Sequence, residues 1–315
     1  MTDRELSGAP SMLPLFARAG AAMIPGASRL PFLGGGGGDV PELALTLSDV
    51  ETDRERLAAY DRVCSFPLSD ILPPTYPHML AFPLHLALMT DGRFPFPAIG
   101  LVHISNRIVQ HRPVNARERL SLRVWATSLR PHPRGTQFSI RTEARSDEEL
   151  VWEEVSTNLR RGAGRGSESS PPADDGLPAD DGLPVDDGPP SSEALAPSAT
   201  WRLRGDLGRR YGSVSGDLNP IHVHPLTARL FGFPSAIAHG MWTKARCLAA
   251  LGPELPAAFT VEVAFKRPIR LPGTVQFAED RRANEIQFGV RDANGESRHL
   301  DGLITFQPPS RRRQS

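Results

Sequence analysis

A carboxylate and an imidazole lie five positions apart in the stretch YGSVSGDLNPIHVHPLTA, which spans residues 211–228. The pair is Asp217 and His222, and the residues between them include an asparagine and a proline. Gly, Asp, Asn and Pro are the commonest turn residues, so a surface turn is one interpretation. The alternative is a catalytic site, in which a rigid loop points both side chains at one small space. A carboxylate beside an imidazole can pass a proton near neutral pH, because histidine titrates there.

The same stretch and one glycine run raise the question of metals and cofactors. His222 and His224 form a His-x-His pair, but no third ligand follows at a persuasive spacing, so the sequence predicts no metal site. The run GGGGGD at 34–39 lacks the Lys-Ser/Thr of a phosphate loop and is interpreted as a plain glycine loop. The sequence therefore predicts no cofactor.

The elements that must position the Asp217 loop occur in two series of the same order. An apolar segment of helical length at 77–89 precedes strand-like runs at 100–109, 119–129, 136–144 and 150–159. A second such helix at 239–251 precedes runs at 259–269, 273–280, 285–292 and 299–306. The run FTVEVAFKRPI alternates apolar and polar residues, which is typical of a strand with one buried face. The pattern predicts an α+β protein in which a sheet wraps around a helix twice, and the two sheets pair.

Between the two series lies a tether of different composition. Residues 162–199 are Pro, Asp, Gly and Ser with few aromatic or β-branched residues, and ADDGLP occurs twice in tandem. Such a segment cannot bury enough apolar surface to offset its ordering entropy, so it is predicted to be a disordered linker. The predicted domains are 1–161 and 200–308, with a flexible basic tail at 309–315.

Composition and charge limit the partners and the location that the sequence predicts for the protein. The 36 basic and 36 acidic residues balance, which gives no global attraction to nucleic acid or to an anionic membrane surface. Two cysteines, Cys64 and Cys247, are too few for a disulfide framework and favour the cytoplasm. Residues 12–26 lack the basic start and unbroken apolar run of a signal peptide, and no apolar run is long enough to span a bilayer.

The motif around Asp217 resembles one known family residue for residue. The matching positions are Tyr211, Val214-Ser215-Gly216-Asp217, Asn219-Pro220-Ile221-His222, Ala228, Phe231-Gly232-Phe233 and Ile237-Ala238-His239-Gly240-Met241. The family is the MaoC-like dehydratases, which include the (R)-specific enoyl-CoA hydratases (hydratase-2). The resemblance implies a double hot-dog fold with a catalytic second unit and a degenerate first unit. The first half indeed has no Gly-Asp-x-Asn-Pro-x-His, and its helix region begins TYPHML.

The resemblance also implies roles for individual residues. Asp217 and His222 would be the catalytic pair, with the division of roles between them left open. The supporting residues of the loop would be Tyr211, Ser215, Gly216, Asn219 and Pro220. Gly240 is the candidate oxyanion donor, because backbone N–H groups are free at a helix start and a residue without a Cβ allows close approach.

Further residues are candidates for contact with the substrate. They are His239, Met241 and Thr243 near the helix start, and Arg209, Arg210, Lys266 and Arg267 as partners for phosphates, although each cation is equally well explained as ordinary surface charge. Some relatives carry a hydroxyl residue about a turn and a half into the helix, where this chain has Lys244-Ala245, and Thr243 is the nearest hydroxyl. Trp242 and Phe265 are interpreted as core residues, with lining of an acyl tunnel as the alternative.

The predicted activity is hydration of trans-2-enoyl thioesters and dehydration of (3R)-3-hydroxyacyl thioesters in fatty-acyl metabolism. The carrier is coenzyme A or an acyl-carrier protein, and the chain is a monomer or a homodimer. Two alternatives remain at this point. One is a hot-dog acyl thioesterase, and the other is a non-catalytic acyl-binding subunit of a hydratase complex.

Overall fold

The computed structural model describes residues 1–21, 38–127, 129–161, 188–252 and 255–306. The first unit contains β1 (Thr2–Glu5), α1 (Met12–Ala21), β2 (Leu43–Val50), α2 (Arg54–Cys64), α3 (Tyr76–Met89), β3 (Val102–Gln110), β4 (Leu120–Ala126), β5 (Arg130–His132), β6 (Gly135–Ser146) and β7 (Glu149–Arg161). The second contains β8 (Pro197–Leu203), α4 (Leu207–Ser215), α5 (Pro220–Val223), α6 (Pro225–Leu230), α7 (Gly240–Leu251), β9 (Phe259–Phe265), β10 (Gly273–Arg281), β11 (Glu285–Asp292) and β12 (Arg298–Phe306).

The strands of both units form one continuous sheet. Its order is β1-β2-β4-β6-β7-β3-β9-β12-β11-β10-β8, and the short β5 pairs with β6. The two units join where β3 pairs antiparallel with β9, with Ile108 opposite Val261. The predicted α+β class, the two helix-then-strands series and the pairing of their sheets are confirmed.

Each unit has one mostly buried central helix, α3 in the first unit and α7 in the second. Helix α3 is buried nearly all round and packs on β2, β4 and β6, as a helix without a polar face must. Pro77 lies in its first turn, where the missing N–H costs no hydrogen bond. Helix α7 of the second unit contacts α2 of the first, and the Trp242 indole N–H donates to the backbone oxygen of Val63 at 2.9 Å.

A buried polar network links helix α7 to the seam between the units. The Lys244 ammonium is wholly buried and donates to Asn106 Oδ1 at 2.6 Å and to the backbone oxygens of Asn106 and Val261 at 3.2 Å each. The Asn106 amide in turn donates to Glu154 Oε1 at 2.6 Å and to Ser156 Oγ at 2.9 Å. The network crosses β9, β3 and β7, so it fixes α7 against strands of both units.

The structure corrects one end of the predicted linker. Strand β8 begins at Pro197 and pairs with β10, and the buried Ser192 donates from its N–H and its hydroxyl to Asp301 Oδ1 at 3.0 and 2.6 Å. Residues 188–199 therefore belong to the second unit, because strand pairing and one buried carboxylate hold them. The rest of the predicted linker, the predicted tail from 309 and residues 34–37 of the glycine loop lie outside the described residues.

None of the described helices has the length and apolar character needed to cross a bilayer.

Lys244 gives the fold a testable pH dependence. Burial lowers the pKa of Lys244 to about 7, whereas an unfolded chain keeps the ordinary lysine value of 10.5. Between pH 7 and 10.5 the unfolded state therefore binds the extra proton, so raising the pH stabilises the folded state, and this contribution no longer changes below pH 7. We expect the free energy of unfolding of wild type, relative to Lys244→Met, to rise by up to about 1.4 kcal/mol per pH unit between pH 7.5 and 9.5.

The measurement is urea unfolding at several pH values. Lys266→Met, at the chain's only other lysine, is the control, because Lys266 is 40% exposed. Parallel pH curves for wild type and Lys244→Met would show that Lys244 keeps its ordinary titration.

Candidate active site

The loop that carries Asp217 is held by its own short-range hydrogen bonds. Helix α4 ends with Gly216 in the left-handed conformation (φ 84°), and the Gly216 N–H donates to the backbone oxygen of Gly212 at 2.9 Å. The Asp217 N–H donates to Ser215 Oγ at 3.1 Å, and the Asn219 N–H donates to Asp217 Oδ1 at 3.1 Å. The carboxylate is therefore oriented by the backbone two residues downstream.

Helix α5 then places the imidazole. Asn219 caps this helix by accepting from the Ile221 N–H at 3.4 Å, and Pro220 occupies the first turn. The His222 Nδ1 donates to the backbone oxygen of Ile237 at 2.8 Å. Because a carbonyl can only accept, Nδ1 carries the proton, and Nε2 of the neutral ring is left as an acceptor. Burial lowers the pKa of His222, which favours this neutral form.

His239 contacts both members of the pair. Its ring stacks on His222 at a centroid distance of 3.7 Å and lies 4.8 Å from the ring of Tyr211. Its Nε2 donates to the backbone oxygen of Asp217 at 3.1 Å. Burial, and then the neighbouring His222, lower the pKa of His239 well below its usual value, so the ring stays neutral. His239 was predicted to contact substrate, and the structure gives it this structural contact as well.

These contacts bring the side chains of the candidate site close together. One ligand-type atom from each of Asp217, His222 and His239 lies within 4.8 Å of the others. A second group, His78, His85 and Glu154 of the first unit, meets the same distance and is fully buried. Both groups have the donor types that transition metals accept. The absence of a metal requirement therefore stays a prediction.

Helix α7 presents its amino end to the same space. Gly240 is the first residue of the helix, and a Cβ there would lie 3.0 Å from the Phe265 ring, so only glycine fits without displacing it. Met241 and Thr243 are buried, and both line the cavity described below. The Thr243 hydroxyl donates to the backbone oxygen of His239 at 3.1 Å, so its proton is already engaged in a hydrogen bond at the start of the helix.

A cavity of about 240 Å³ connects this site with the first unit. Its lining from the second unit includes Tyr211, Ser215, Asp217, Asn219, His222 and Gly240. The first unit contributes one face of helix α3 together with residues of β3, β6 and β7. Phe265 lines this cavity, which is the alternative that the sequence left open, whereas Trp242 is a core residue.

The predicted cationic residues fall into two groups. Lys266 and Arg267 are exposed and line the cavity. Arg209 and Arg210 are exposed but lie outside this lining, and Arg210 borders a separate depression beside Trp201.

Sequence reasoning missed two further arginines of the cavity wall, Arg134 and Arg161 of the first unit. These residues lie at the β6 and β7 ends that pair beside each other, with Gly135 opposite Arg161. No local motif marks them.

Two glycines of helix α4 were also missed, and they explain how the loop packs. A Cβ on Gly208 would overlap the backbone carbonyl of His222, and a Cβ on Gly212 would lie 2.8 Å from the backbone oxygen of Asp217. The loop that carries both reactive side chains therefore lies directly on the backbone of α4. The spacing G-R-R-Y-G, one glycine per helical turn, was the available signal.

Taken together, the fold and site define a double hot-dog protein with one polar pair beside the amino end of its second central helix. Comparison with known proteins agrees. The family described as "MaoC like domain" matches residues 194–300. The chain is 34% identical over 267 residues to 3-hydroxyacyl-thioester dehydratase X of Mycobacterium tuberculosis, covering 84% of this chain and 87% of that protein. The chain belongs to the MaoC-like family.

Solved structures support the same assignment. The crystal structure of HtdX of Mycobacterium tuberculosis superposes with a TM-score of 0.71 at 30% identity, covering 84% of this chain and 100% of that chain. A conserved hypothetical protein of the same organism, described as having a double hot-dog fold, has a TM-score of 0.50 at 13% identity, covering 85% and 94%. The second likeness concerns the fold alone.

The packing of the loop on α4 predicts the effect of one methyl group. In Gly208→Ala the Cβ would displace the His222 backbone, and displacing a catalytic group by about 1 Å costs on the order of a hundredfold in rate. We expect kcat for hydration of a 2-enoyl thioester to fall by about that factor, with circular dichroism still showing a folded protein. The control is Gly20→Ala in helix α1, where a Cβ would meet nothing within 4 Å. Equal activity of the two variants would contradict this packing.

Proposed function

We propose that this protein catalyses the reversible addition of water to trans-2-enoyl thioesters, which is the dehydration of (3R)-3-hydroxyacyl thioesters in reverse, in fatty-acyl metabolism. The observation that carries the proposal is the convergence of Asp217 and His222 on a cavity that also contains the start of helix α7. The relative from Mycobacterium tuberculosis is a 3-hydroxyacyl-thioester dehydratase, whose name describes the same reaction.

The first requirement of hydration is an oriented water. The Asp217 carboxylate and His222 Nε2 both accept hydrogen bonds, so one water between them donates a proton to each. This arrangement turns an oxygen lone pair toward C3 of the substrate. As the C3–O bond forms, the pair takes one water proton, and the same pair gives a proton to C2, which completes the addition and restores the pair. The fixed hydrogen bonds of both side chains set this geometry before substrate arrives.

The second requirement is stabilisation of the thioester oxygen. Attack at C3 pushes charge onto that oxygen and makes it enolate-like. The first N–H groups of a helix have no partner within the helix, and the helix dipole is positive at that end. In this proposal the Gly240 amide donates to the oxygen, and a donor of this sort contributes about 3–4 kcal/mol to the transition state.

The third feature is the cationic rim, defined here as Arg134, Arg161, Lys266 and Arg267. Strand pairing places the amino end of β3 beside the carboxyl ends of β7 and β9, so these residues share one end of the sheet. Arginine and lysine suit phosphates, and coenzyme A and phosphopantetheine-bearing carrier proteins both carry them. The rim therefore supports a phosphate-bearing thioester as the substrate.

The free, buried cysteines Cys64 and Cys247 support a cytoplasmic location, where thiols stay reduced.

Replacing either member of the pair tests the reaction. We expect Asp217→Asn and His222→Gln each to lower kcat for a medium-chain 2-enoyl-CoA by at least about a thousandfold, because each removes a proton acceptor at the water. The measurement is loss of enoyl absorbance, with circular dichroism as the check on folding. Asp206→Asn and His224→Gln make the same chemical changes at neighbouring positions and are expected to retain activity. Full activity in both site variants would refute the proposal.

Two further measurements, of thiol release and of acyl-CoA binding, separate the two alternatives. Release of free thiol without 3-hydroxyacyl product would indicate a thioesterase. Binding of acyl-CoA by the purified chain without any turnover would indicate an acyl-binding subunit.

Charge reversal tests the rim. We expect Lys266→Glu combined with Arg267→Glu to raise KM for an acyl-CoA on the order of tenfold and to weaken its dependence on salt, with a smaller effect on kcat. Arg209→Glu combined with Arg210→Glu changes the net charge equally but lies off the cavity, so its KM should stay near wild type. Equal changes in both double variants would show only a general effect of net charge.

A further inference from the structure

One part of the cavity wall is polar, with two buried side chains and one half-buried side chain. This polar belt consists of His78, His103 and Ser156, all from the first unit and all lining the cavity. None of the three is used by the reaction proposed above. The belt lies where the first unit meets the second, since Ser105, two residues after His103, pairs with Ala264 of β9.

His103 is the member nearest the reacting end. Its ring centroid lies 4.9 Å from that of Phe265, and the Phe265 ring borders Gly240. His103 is therefore one aromatic ring away from the candidate oxyanion donor. Its Nε2 is buried, and no described residue lies within hydrogen-bond distance of it. Burial, and then His78, lower the pKa of His103 to about 4, so the ring is neutral at pH 7.

His78 and Ser156 are oriented by the buried network. The His78 Nδ1 lies 2.8 and 2.9 Å from the two oxygens of Glu154, which leaves Nε2 as the second hydrogen-bonding atom of this cavity-lining ring. Ser156 Oγ accepts from the Asn106 amide at 2.9 Å, which leaves the hydroxyl proton to be donated. The belt thus offers donors and acceptors in fixed positions. An alkyl chain would satisfy none of them, and burying such groups unpaired is unfavourable.

Apart from His85, the rest of the lining from helix α3 is apolar. Phe82, Leu86 and Met89 continue the face of helix α3 that begins with His78, and Ile99 and Ile140 complete this wall. The belt and this apolar wall line the same cavity as Asp217, so an acyl chain that fills the cavity contacts both.

We propose that the polar belt binds an oxygen function, a hydroxyl or a carbonyl, within the acyl group, so that the preferred substrates are 2-enoyl or 3-hydroxyacyl thioesters that carry a further oxygen along the chain. The inference rests on the proposed function, because it assumes that the acyl group enters from Asp217. The pantetheine arm also carries hydroxyl and amide groups, but it must lead out to solvent, and the cationic rim, rather than the belt, lies in the exposed part of the lining.

The test compares trans-2-decenoyl-CoA with analogues that carry one hydroxyl at C5, C6, C7 or C8. We expect kcat/KM of wild type for at least one analogue to exceed that for the parent by about tenfold, because one buried group then gains its partner. His103→Phe, which keeps the ring contact with Phe265, should abolish this preference. His103→Gln, which retains a donor and an acceptor, should keep part of it. His111→Phe makes the same change beside the other end of β3, outside the cavity lining, and should leave the preference intact.

Binding separates a failure of this proposal from a failure of the proposed reaction. Unreactive S-alkyl thioethers of coenzyme A with the same chains are titrated calorimetrically into wild type and His103→Phe. Preferential binding of a hydroxylated thioether, lost in His103→Phe, supports the belt even if no thioester is hydrated. No preference for any hydroxylated chain in wild type overturns the proposal. An equal loss of affinity for all chains in His103→Phe also overturns it, because that result places the pantetheine arm at His103.

Discussion

The hydrogen bond from His222 Nδ1 to the Ile237 carbonyl is the contact on which the site depends. It fixes the tautomer of the imidazole, and it also ties the Asp217 loop to the segment that leads into helix α7. The Ile237 N–H donates back to the Ile221 oxygen at 3.1 Å, and the next amide, of Ala238, donates to Ile269 at 2.9 Å. The two proposed acceptors for water and the start of the helix are therefore joined by hydrogen bonds, so they keep their spacing without help from a substrate.

The two units contribute different parts of the proposed active site. The second unit supplies Asp217, His222 and Gly240, and the first unit supplies most of the cavity beyond them. The first unit has no motif loop, but its cavity wall contains buried polar groups that a hydrophobic pocket would not need. A fold that repeats one unit can thus specialise one copy for the reaction and the other for selecting what enters it.

The sequence predicted much of the fold and the centre of the site. Long strands with alternating burial and two apolar helices can be recognised from the periodicity of the sequence. The run from Tyr211 to His239 matches enough fixed positions to identify a family. Contacts between residues that are far apart in the sequence could not be predicted. Gly208 matters only because the His222 backbone lies on it, and Arg134 and Arg161 reach the cavity only through strand pairing. Residues 188–199 have a composition typical of linkers, yet strand pairing and one buried carboxylate hold them.

The polar network around Lys244 has a consequence for how such a chain can be divided. An isolated second unit would carry a lysine amine that had lost its bonds to Asn106 and an indole N–H that had lost its bond to Val63, since both partners belong to the other half. Each half would also expose an open strand edge at β3 or β9, which invites association. The peptide between the halves is therefore not what keeps them together. Were the chain divided at that point, we expect the two pieces to associate as a heterodimer through these same contacts.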